Sequence, residues 1–207
     1  MFNKSKLNFK PSVNKLLNKF GDDIIQEIII FRKPINSTIN KILNVLSIGQ
    51  LNQNLKDANY DDLFHLFMVI ILNNNNWLLI EKNERINIVK LKSIDNLVEN
   101  KKVNLNNKKL TLEKLFVNTI ENIGLDNFFI YKSHSWNCQN FIYNILKYNK
   151  LLNNELSEFI LQDTQKIFYK LGYLKKLSDK ITDTAANVNV LVEGGKLKNK
   201  KKINHLN

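Results

Sequence analysis

The sequence predicts an α+β fold, in which a small antiparallel sheet packs with helices that come before and after it in the chain. Three short apolar runs, at 64–72, 77–82 and 85–91, are rich in β-branched and aromatic residues and are separated by Asn-rich turns. This pattern is typical of adjacent antiparallel strands. The segments before and after these runs instead repeat apolar residues at helical spacing.

Before the sheet, the apolar spacing predicts two helices between residues 11 and 50. The first carries its apolar face through Ile29, with a break predicted at Gly21. The second follows Pro34 and ends near Gly49, because proline and glycine commonly stand at helix boundaries.

After the three strand runs, the polar residues 95–109 predict a loop, and residues 128–132 predict one more strand. Apolar stripes at helical spacing make up much of the rest, and several follow a side chain suited to the N-cap position. The predicted helices are 111–123, capped by Thr111; the segment that starts at Cys138, capped by Asn137; and a segment capped by Asn154.

The positive charge of the chain is concentrated at its two ends. The sequence has 31 basic and 19 acidic residues, hence a formal charge of +12, and the segments 1–20 and 196–207 each hold five Lys and no acidic residue. These ten Lys leave about +2 for everything between them, so no basic groove is indicated in the fold. Only Arg32 and Arg85 are arginines, which further disfavours sequence-specific nucleic-acid binding.

The chain is predicted to form one α+β domain with extensions at both ends. A single Cys and three His disfavour a disulfide framework and a metal site, and no cofactor is expected. No apolar run approaches the roughly 20 residues that span a bilayer, and no signal peptide is visible, so the protein is not expected to be secreted. The predicted parts are a flexible basic arm over 1–10, the domain over 11–175, an amphipathic segment over 176–195 and a Lys-rich tail over 196–207.

The only cysteine is the residue on which a catalytic prediction depends. Asn137 as N-cap would place Cys138 at the start of a helix, where the helix dipole favours a thiolate. Free amides at the same helix end are suited to an oxyanion, and Gln139 and Asn140 are candidates for hydrogen bonds around the nucleophile.

A thiolate nucleophile needs a base, and two histidines are candidates. His65 is preferred because a strand holds an imidazole more rigidly than a loop, and His134, four residues before the cysteine, is the alternative. The first candidate to orient the His65 ring is Glu81 on the next strand, and Asn83 is the second. The structural alternative is a small buried thiol, a core histidine and a surface carboxylate that have nothing to do with one another.

The stretch from Trp136 to Phe141 resembles the Asn-Cys-x-x-Phe box that opens the catalytic helix of permuted papain-like proteins. These include the lecithin:retinol acyltransferase-like, NlpC/P60-like and PPPDE groups, in which the His strand precedes the Cys helix. The resemblance implies a cysteine hydrolase or acyltransferase with Cys138 as nucleophile, His65 as base and Glu81 as the third polar group. The implied substrate is a lipid ester first and a peptide second. The acyltransferase-like members usually have a second His on the partner strand, which this sequence lacks.

Residues 28–195 also resemble an uncharacterised family of giant viruses, virophages and Polinton-like elements, through segments such as 32–35, 60–66, 137–139 and 159–163. This resemblance implies a viral protein in the cytoplasm of a host cell or in a virion. It names no reaction, so a non-catalytic virion or membrane-interaction protein is the alternative. The sequence does not predict an oligomeric state.

The C-terminal region carries two further hypotheses. Residues 181–192 can form an amphipathic helix that, with the basic tail, would lie on an anionic membrane; the alternative is packing on the domain with the tail in solvent. Gly194 and Gly195 resemble the Gly-Gly-x sites cut by adenovirus-type maturation proteases, and the alternative is a helix C-cap and hinge.

Overall fold

The computed structural model describes residues 9–34, 50–57, 63–93, 99–132, 136–162, 191–193 and 196–198. The fold is mixed α+β, as predicted. The helices are α1 Pro11–Phe20, α2 Gln50–Asp57, α3 Leu112–Ile123, α4 Leu125–Phe129, α5 Cys138–Tyr148 and α6 Asn154–Ile160. The strands are β1 Ile25–Pro34, β2 Phe64–Leu72, β3 Trp77–Lys82, β4 Ile86–Leu91 and β5 Glu99–Val103, and a separate hairpin consists of β6 Leu191–Glu193 and β7 Lys196–Lys198.

The five-stranded sheet has the order β4-β3-β2-β1-β5, and every neighbouring pair is antiparallel. The three strands predicted from the central apolar runs are confirmed as β2, β3 and β4. The connection between β2 and β3, at 73–76, is a tight turn in which the Asn75 amide donates to the Leu72 carbonyl and Asn75 has a φ of 58°. Asparagine is one of the few residues that tolerate this left-handed conformation, which explains part of the Asn-rich turn.

The helix predicted to continue through Ile29 is wrong, because α1 ends at Phe20 and β1 begins at Ile25. β1 pairs with β2 on one side and with β5 on the other, and Ile28 and Ile30 are fully buried. An uninterrupted apolar run satisfies helical and strand spacing alike, and here the β-branched side chains and the central place in the sheet decide for strand. The second predicted N-terminal helix, from Pro34 to near Gly49, lies outside the described residues. The helix α2, which begins at Gln50, follows the predicted end of that helix.

Two predictions between the sheet and α5 are also wrong. Residues 99–103, predicted as loop, form β5, an edge strand whose exposed face explains its polar sequence. Residues 128–129, predicted as strand, belong to α4, and the Phe128 side chain is fully buried. The predicted helix over 111–123 and its Thr111 cap are confirmed. The helix predicted after Asn154 is present as α6, but Asn153 caps it.

The main core lies between one face of the sheet and helices α3, α4 and α5. Alternate residues of β2 (Leu66, Met68 and Ile70) face this core and are fully buried. Phe9 also belongs to it, with its ring 5.0 Å from that of Phe129, so the packed structure begins inside the segment predicted as a basic arm. The first eight residues of that arm lie outside the described residues.

A smaller apolar cluster lies on the other face of the sheet, and it includes Phe31, Phe67 and Leu79. The Phe31 and Phe67 rings stack with their centroids 5.1 Å apart. β2 is therefore buried on both faces, which gives its N-terminal residues a rigid position.

Candidate active site

Cys138 is the first residue of α5, as predicted. The Asn137 side chain caps this helix, with Oδ1 accepting the Gln139 amide at 2.9 Å and the Asn140 amide at 3.1 Å. The cap holds the sulfur at the positive end of the helix dipole, where a thiolate is stabilised. Cys138 is buried, with 6% of the residue's surface exposed.

The ring of His65, the second residue of β2, is hydrogen-bonded to Glu81, with Nε2 3.1 Å from Oε2. The same ring lies close enough to Cys138 for the two groups to shift each other's pKa. The His65 and Glu81 side chains are 16% and 7% exposed. The structure therefore brings together the three residues that the sequence predicts as the catalytic group.

The charges of this group support one another. Burial by itself would lower the pKa of His65, but the charge of Cys138 and hydrogen bonds to Cys138 and Glu81 outweigh burial and raise that pKa from 6.5 to about 10. Burial would likewise raise the pKa of Cys138, but the His65 charge and hydrogen bond, with amide hydrogen bonds from Leu66 and Gln139, lower it. Each charge thus favours the other, which biases the two groups toward thiolate and imidazolium.

Glu81 is held from its other side by a polar network on β4. Asn87 Nδ2 donates to Glu81 Oε1 at 3.3 Å and to Asn83 Oδ1 at 3.2 Å, and Lys10 Nζ donates to Asn87 Oδ1 at 3.2 Å. Asn83, predicted as a second-line residue of the site, is therefore a member of this network rather than the partner of His65. Sequence analysis missed Asn87, although the alternation of Ile86 and Ile88 places it on the opposite face of β4 from those two residues.

Gln139, predicted to support the nucleophile or an oxyanion, has its side chain turned to the end of α6. Its Oε1 accepts the Gln162 amide at 2.8 Å, and its Nε2 donates to Gln162 Oε1 at 3.0 Å. Gln162 Oε1 also accepts the Phe64 amide at 2.9 Å, immediately before His65. The Gln139–Gln162 cluster thus links α5, β2 and the chain after α6 by hydrogen bonds. Through its side chain, Gln139 helps to position Cys138 and His65.

Lys82, which sequence analysis did not single out, is buried next to this site with 2% of its surface exposed. Its Nζ donates to the Phe128 carbonyl at 2.6 Å and lies 5.5 Å from the centroid of the Phe141 ring. Burial lowers the pKa of Lys82 from 10.5 to about 7, against the opposing effect of the Cys138 charge. The alternation of β3 would have indicated that Lys82 faces the core, because Leu78, Ile80 and Lys82 lie on the same face of the strand.

Several predicted features cannot be placed. His134, the alternative base, and Gly194 and Gly195, the predicted processing site, lie outside the described residues, as do 176–190 and most of the basic tail. The amphipathic helix predicted over 181–192 is wrong at its end, because residues 191 and 192 belong to β6 and pair with β7. Within the described ranges, no group of three or more His, Cys, Asp or Glu is arranged to hold a metal ion. None of the described helices is both long and apolar enough to cross a membrane.

Comparisons with known proteins return nothing for this chain. No family model matches the sequence, and no curated protein or solved structure matches it either. Any function must therefore be argued from the residues and their geometry.

Proposed function

We propose that this protein is a cysteine-dependent hydrolase or acyltransferase with a permuted papain-like core. The observation that carries the proposal is the hydrogen-bonded series Cys138, His65 and Glu81 at the start of α5. A nucleophile beside a base that is itself oriented by a third group is the arrangement that covalent acyl transfer requires. The order of the chain, with the His strand before the Cys helix, agrees with the resemblance.

The proposed reaction begins with attack by the Cys138 thiolate on the carbonyl carbon of an ester, thioester or amide. As the bond to the leaving alcohol, thiol or amine breaks, His65 donates its proton to that group, and an acyl-thioester remains on the cysteine. Water or an acceptor amine then attacks the acyl carbon, His65 takes its proton, and the thiolate leaves. Glu81 holds the imidazole in one orientation through both halves.

The tetrahedral intermediate also needs N–H donors for its oxyanion. The Asn137 side chain already accepts hydrogen bonds from two amides of the helix N-terminus, so an oxyanion would have to share these predicted donors with the cap. Among the described residues, Asn83 Nδ2 is a buried donor without a hydrogen-bond partner. Asn83 directly follows β3 and lies two residues after Glu81, whose carboxylate bonds to His65. Asn83 is accordingly our candidate for the side chain that binds the substrate oxygen.

The proposed substrate is a lipid ester, with a peptide bond as the second choice, because these are the classes that the resemblance implies. Nitrophenyl fatty-acyl esters and fluorogenic peptides are the corresponding probes. Turnover of the fatty-acyl ester alone would support the lipid class, and turnover of the peptide alone would support the second choice. Anionic membranes or other virion proteins are the proposed partners.

The experiment that tests the proposal is labelling with an electrophilic acyl probe, followed by intact mass spectrometry. The wild type should gain one probe at Cys138, Cys138→Ala should gain none, and His65→Ala should label at least tenfold more slowly at pH 7. His205→Ala removes a histidine of the Lys-rich tail instead, and this variant should label like the wild type. Equal labelling of the wild type and Cys138→Ala would exclude this nucleophile.

The second candidate is a non-catalytic virion or membrane-interaction protein that retains the fold. The observation that favours it is the burial of the site, since Cys138 exposes only 6% of its surface. This candidate predicts salt-sensitive binding to anionic liposomes that survives Cys138→Ala and is lost on removal of residues 181–207, without turnover of either substrate class.

A further inference from the structure

We propose that Lys82 is a positioning residue of this site, whose buried ammonium supplies a second positive charge that favours the thiolate form of Cys138. The inference deepens the proposed function and rests on it, because it concerns how the same nucleophile is activated. It adds a residue that lies outside the series Cys138, His65 and Glu81.

The placement of Lys82 beside the cysteine helix is the first step. Lys82 ends β3, and its side chain enters the core, where Nζ donates to the Phe128 carbonyl at 2.6 Å. Nζ also lies 5.5 Å from the centroid of the Phe141 ring. Phe141 follows Cys138 by three residues in α5, so the two side chains share one face of the first helical turn. The ammonium therefore lies next to the turn that carries the sulfur.

The burial of Lys82 is the second step. Lysine is rarely buried without a partner, because an ammonium loses much of its hydration inside a protein. Among the described residues, no carboxylate forms an ion pair with Lys82, and its contacts are a carbonyl oxygen and an aromatic ring. The negative charge that acts on it is that of Cys138. A methionine would fill the same space without the cost of desolvation, so the position is better explained by the charge than by packing.

The third step concerns the pH range in which the charge is present. Burial lowers the pKa of Lys82 to about 7, whereas the pKa of His65 is about 10. Glu81 precedes Lys82 and bonds to His65, Lys33 of β1 lies opposite His65, the exposed Glu84 and Arg85 follow in the next turn, and α4 contributes a backbone carbonyl. Lys82 therefore adds its positive charge to that of His65 mainly below pH 7, on the acid side of the profile, where protonation of the thiolate is favoured most.

The test is the pH dependence of alkylation of the only cysteine by iodoacetamide, followed by intact mass spectrometry from pH 4 to pH 10. Lys82→Met and Lys82→Gln remove the charge, and Lys82→Arg keeps it. Lys108→Met is the matched control: Lys108 Nζ also donates to backbone carbonyls, those of Asn149 and Lys150 at 2.9 and 3.1 Å, but at the opposite end of α5. Circular dichroism verifies that each variant is folded.

Both neutral variants should move the acid limb of the profile to higher pH by about one unit, so that alkylation at the foot of this limb slows roughly tenfold. Lys82→Arg and Lys108→Met should leave the limb in place. Folded neutral variants whose profiles superimpose on that of the wild type would overturn the proposal, and so would an equal shift in Lys108→Met. If neither neutral variant folds, Lys82→Arg decides: a limb that moves up by a unit despite the permanent charge contradicts the proposal.

Iodoacetamide requires only a thiolate and no acyl substrate, so this experiment separates the two proposals. A shift in Lys82→Met without labelling by acyl probes would support Lys82 and reject the catalytic function. Acyl labelling of the wild type without a shift in Lys82→Met would support the catalytic function and reject the role of Lys82.

Discussion

The Glu81 carboxylate meets the His65 ring at 3.1 Å across the hairpin of β2 and β3, although the two residues are 16 positions apart. Phe67 lies directly opposite Glu81 in the sheet, so His65, two residues before Phe67 in β2, is the diagonal neighbour of Glu81. The contact is thus a product of strand register, and it orients the ring that faces Cys138.

The first prediction concerns the charge of Glu81. Glu81→Gln keeps a hydrogen-bond acceptor for His65 but removes the negative charge, so the pKa of His65 should fall and the imidazolium should support the thiolate less. A fall of one pKa unit should slow acyl-probe labelling about tenfold on the basic limb of the profile, above pH 10, and change it little at pH 8. The measurement is the labelling rate of the variant across pH, and its basic limb should move to lower pH. Glu84→Gln, at an exposed position in the next turn, should match the wild type; a Glu81→Gln profile that also matches it would remove Glu81 from the account.

The second prediction concerns the Gln139–Gln162 cluster. Gln162→Ala leaves the buried Gln139 amide group and the Phe64 amide without their acceptor, which should cost about 1–3 kcal/mol of unfolding free energy. Chemical denaturation measures this cost. Because the two side chains bond to each other, the double variant with Gln139→Ala should lose less than the sum of the single variants. Gln53→Ala removes an exposed hydrogen bond and should change stability by less than about 0.5 kcal/mol. Additive losses at 139 and 162 would contradict the cluster.

The third prediction concerns the dependence of stability on pH between 7 and 9. Over most of this range Lys82 carries a proton in the unfolded chain and His65 does not, whereas in the folded state the reverse holds, so their contributions to the pH dependence cancel. The pKa of Cys138 is lower in the folded state, so the unfolded state binds more protons and the free energy of unfolding should rise with pH. In Lys82→Met the unfolded state binds one proton fewer, so the slope should be lower than that of the wild type by roughly 1 kcal/mol per pH unit. Urea denaturation at each pH measures it, and a wild-type curve that falls over this range would contradict the assigned protonation states.

The fourth prediction concerns the N-cap of α5. Asn137→Ala removes the acceptor of two helix amides, which should cost about 1 kcal/mol of unfolding free energy. Asn137→Ser or Asn137→Asp should restore most of that stability, because both side chains are good caps. Asn153→Ala removes the equivalent cap of α6 and should cost a similar amount while leaving acyl labelling unchanged. Thermal melts and labelling rates separate the two effects, and an Asn137→Ala variant as stable as the wild type would show that the cap is not needed.

Local signals account for the parts of the fold that sequence analysis predicted. The apolar runs of β2, β3 and β4, the Thr111 and Asn137 caps and the stripe of α5 are each complete within a dozen residues. The prediction for β1 failed because its local signal is ambiguous. The run from Ile28 to Phe31 is apolar throughout, and only its pairing with β2 and β5 defines it as a strand. β5 failed because an edge strand can be polar, and nothing local distinguishes Glu99–Val103 from a loop.

The site divides in the same way. Cys138, His65 and Glu81 could be proposed together because each lies at a recognisable position, at a helix start or on a strand of one hairpin. Lys82, Asn87 and Gln162 could not, because their roles depend on which strand or helix lies opposite them. The alternation of β3 assigns Lys82 to the core face, but only the packing of β3 against α5 shows that its ammonium is buried beside the cysteine helix.

The most direct test of the central claim is detection of an acyl-thioester on Cys138. The protein is mixed with a nitrophenyl fatty-acyl ester, quenched in acid within seconds and analysed by intact mass and peptide mapping. The account predicts that the wild type gains the mass of one acyl group, mapped to the peptide that contains Cys138 and released by hydroxylamine, and that Cys138→Ala gains none. A peptide thioester serves as the second acyl donor. A wild-type protein that gains no acyl group from either donor, or gains it equally in Cys138→Ala, would contradict the account.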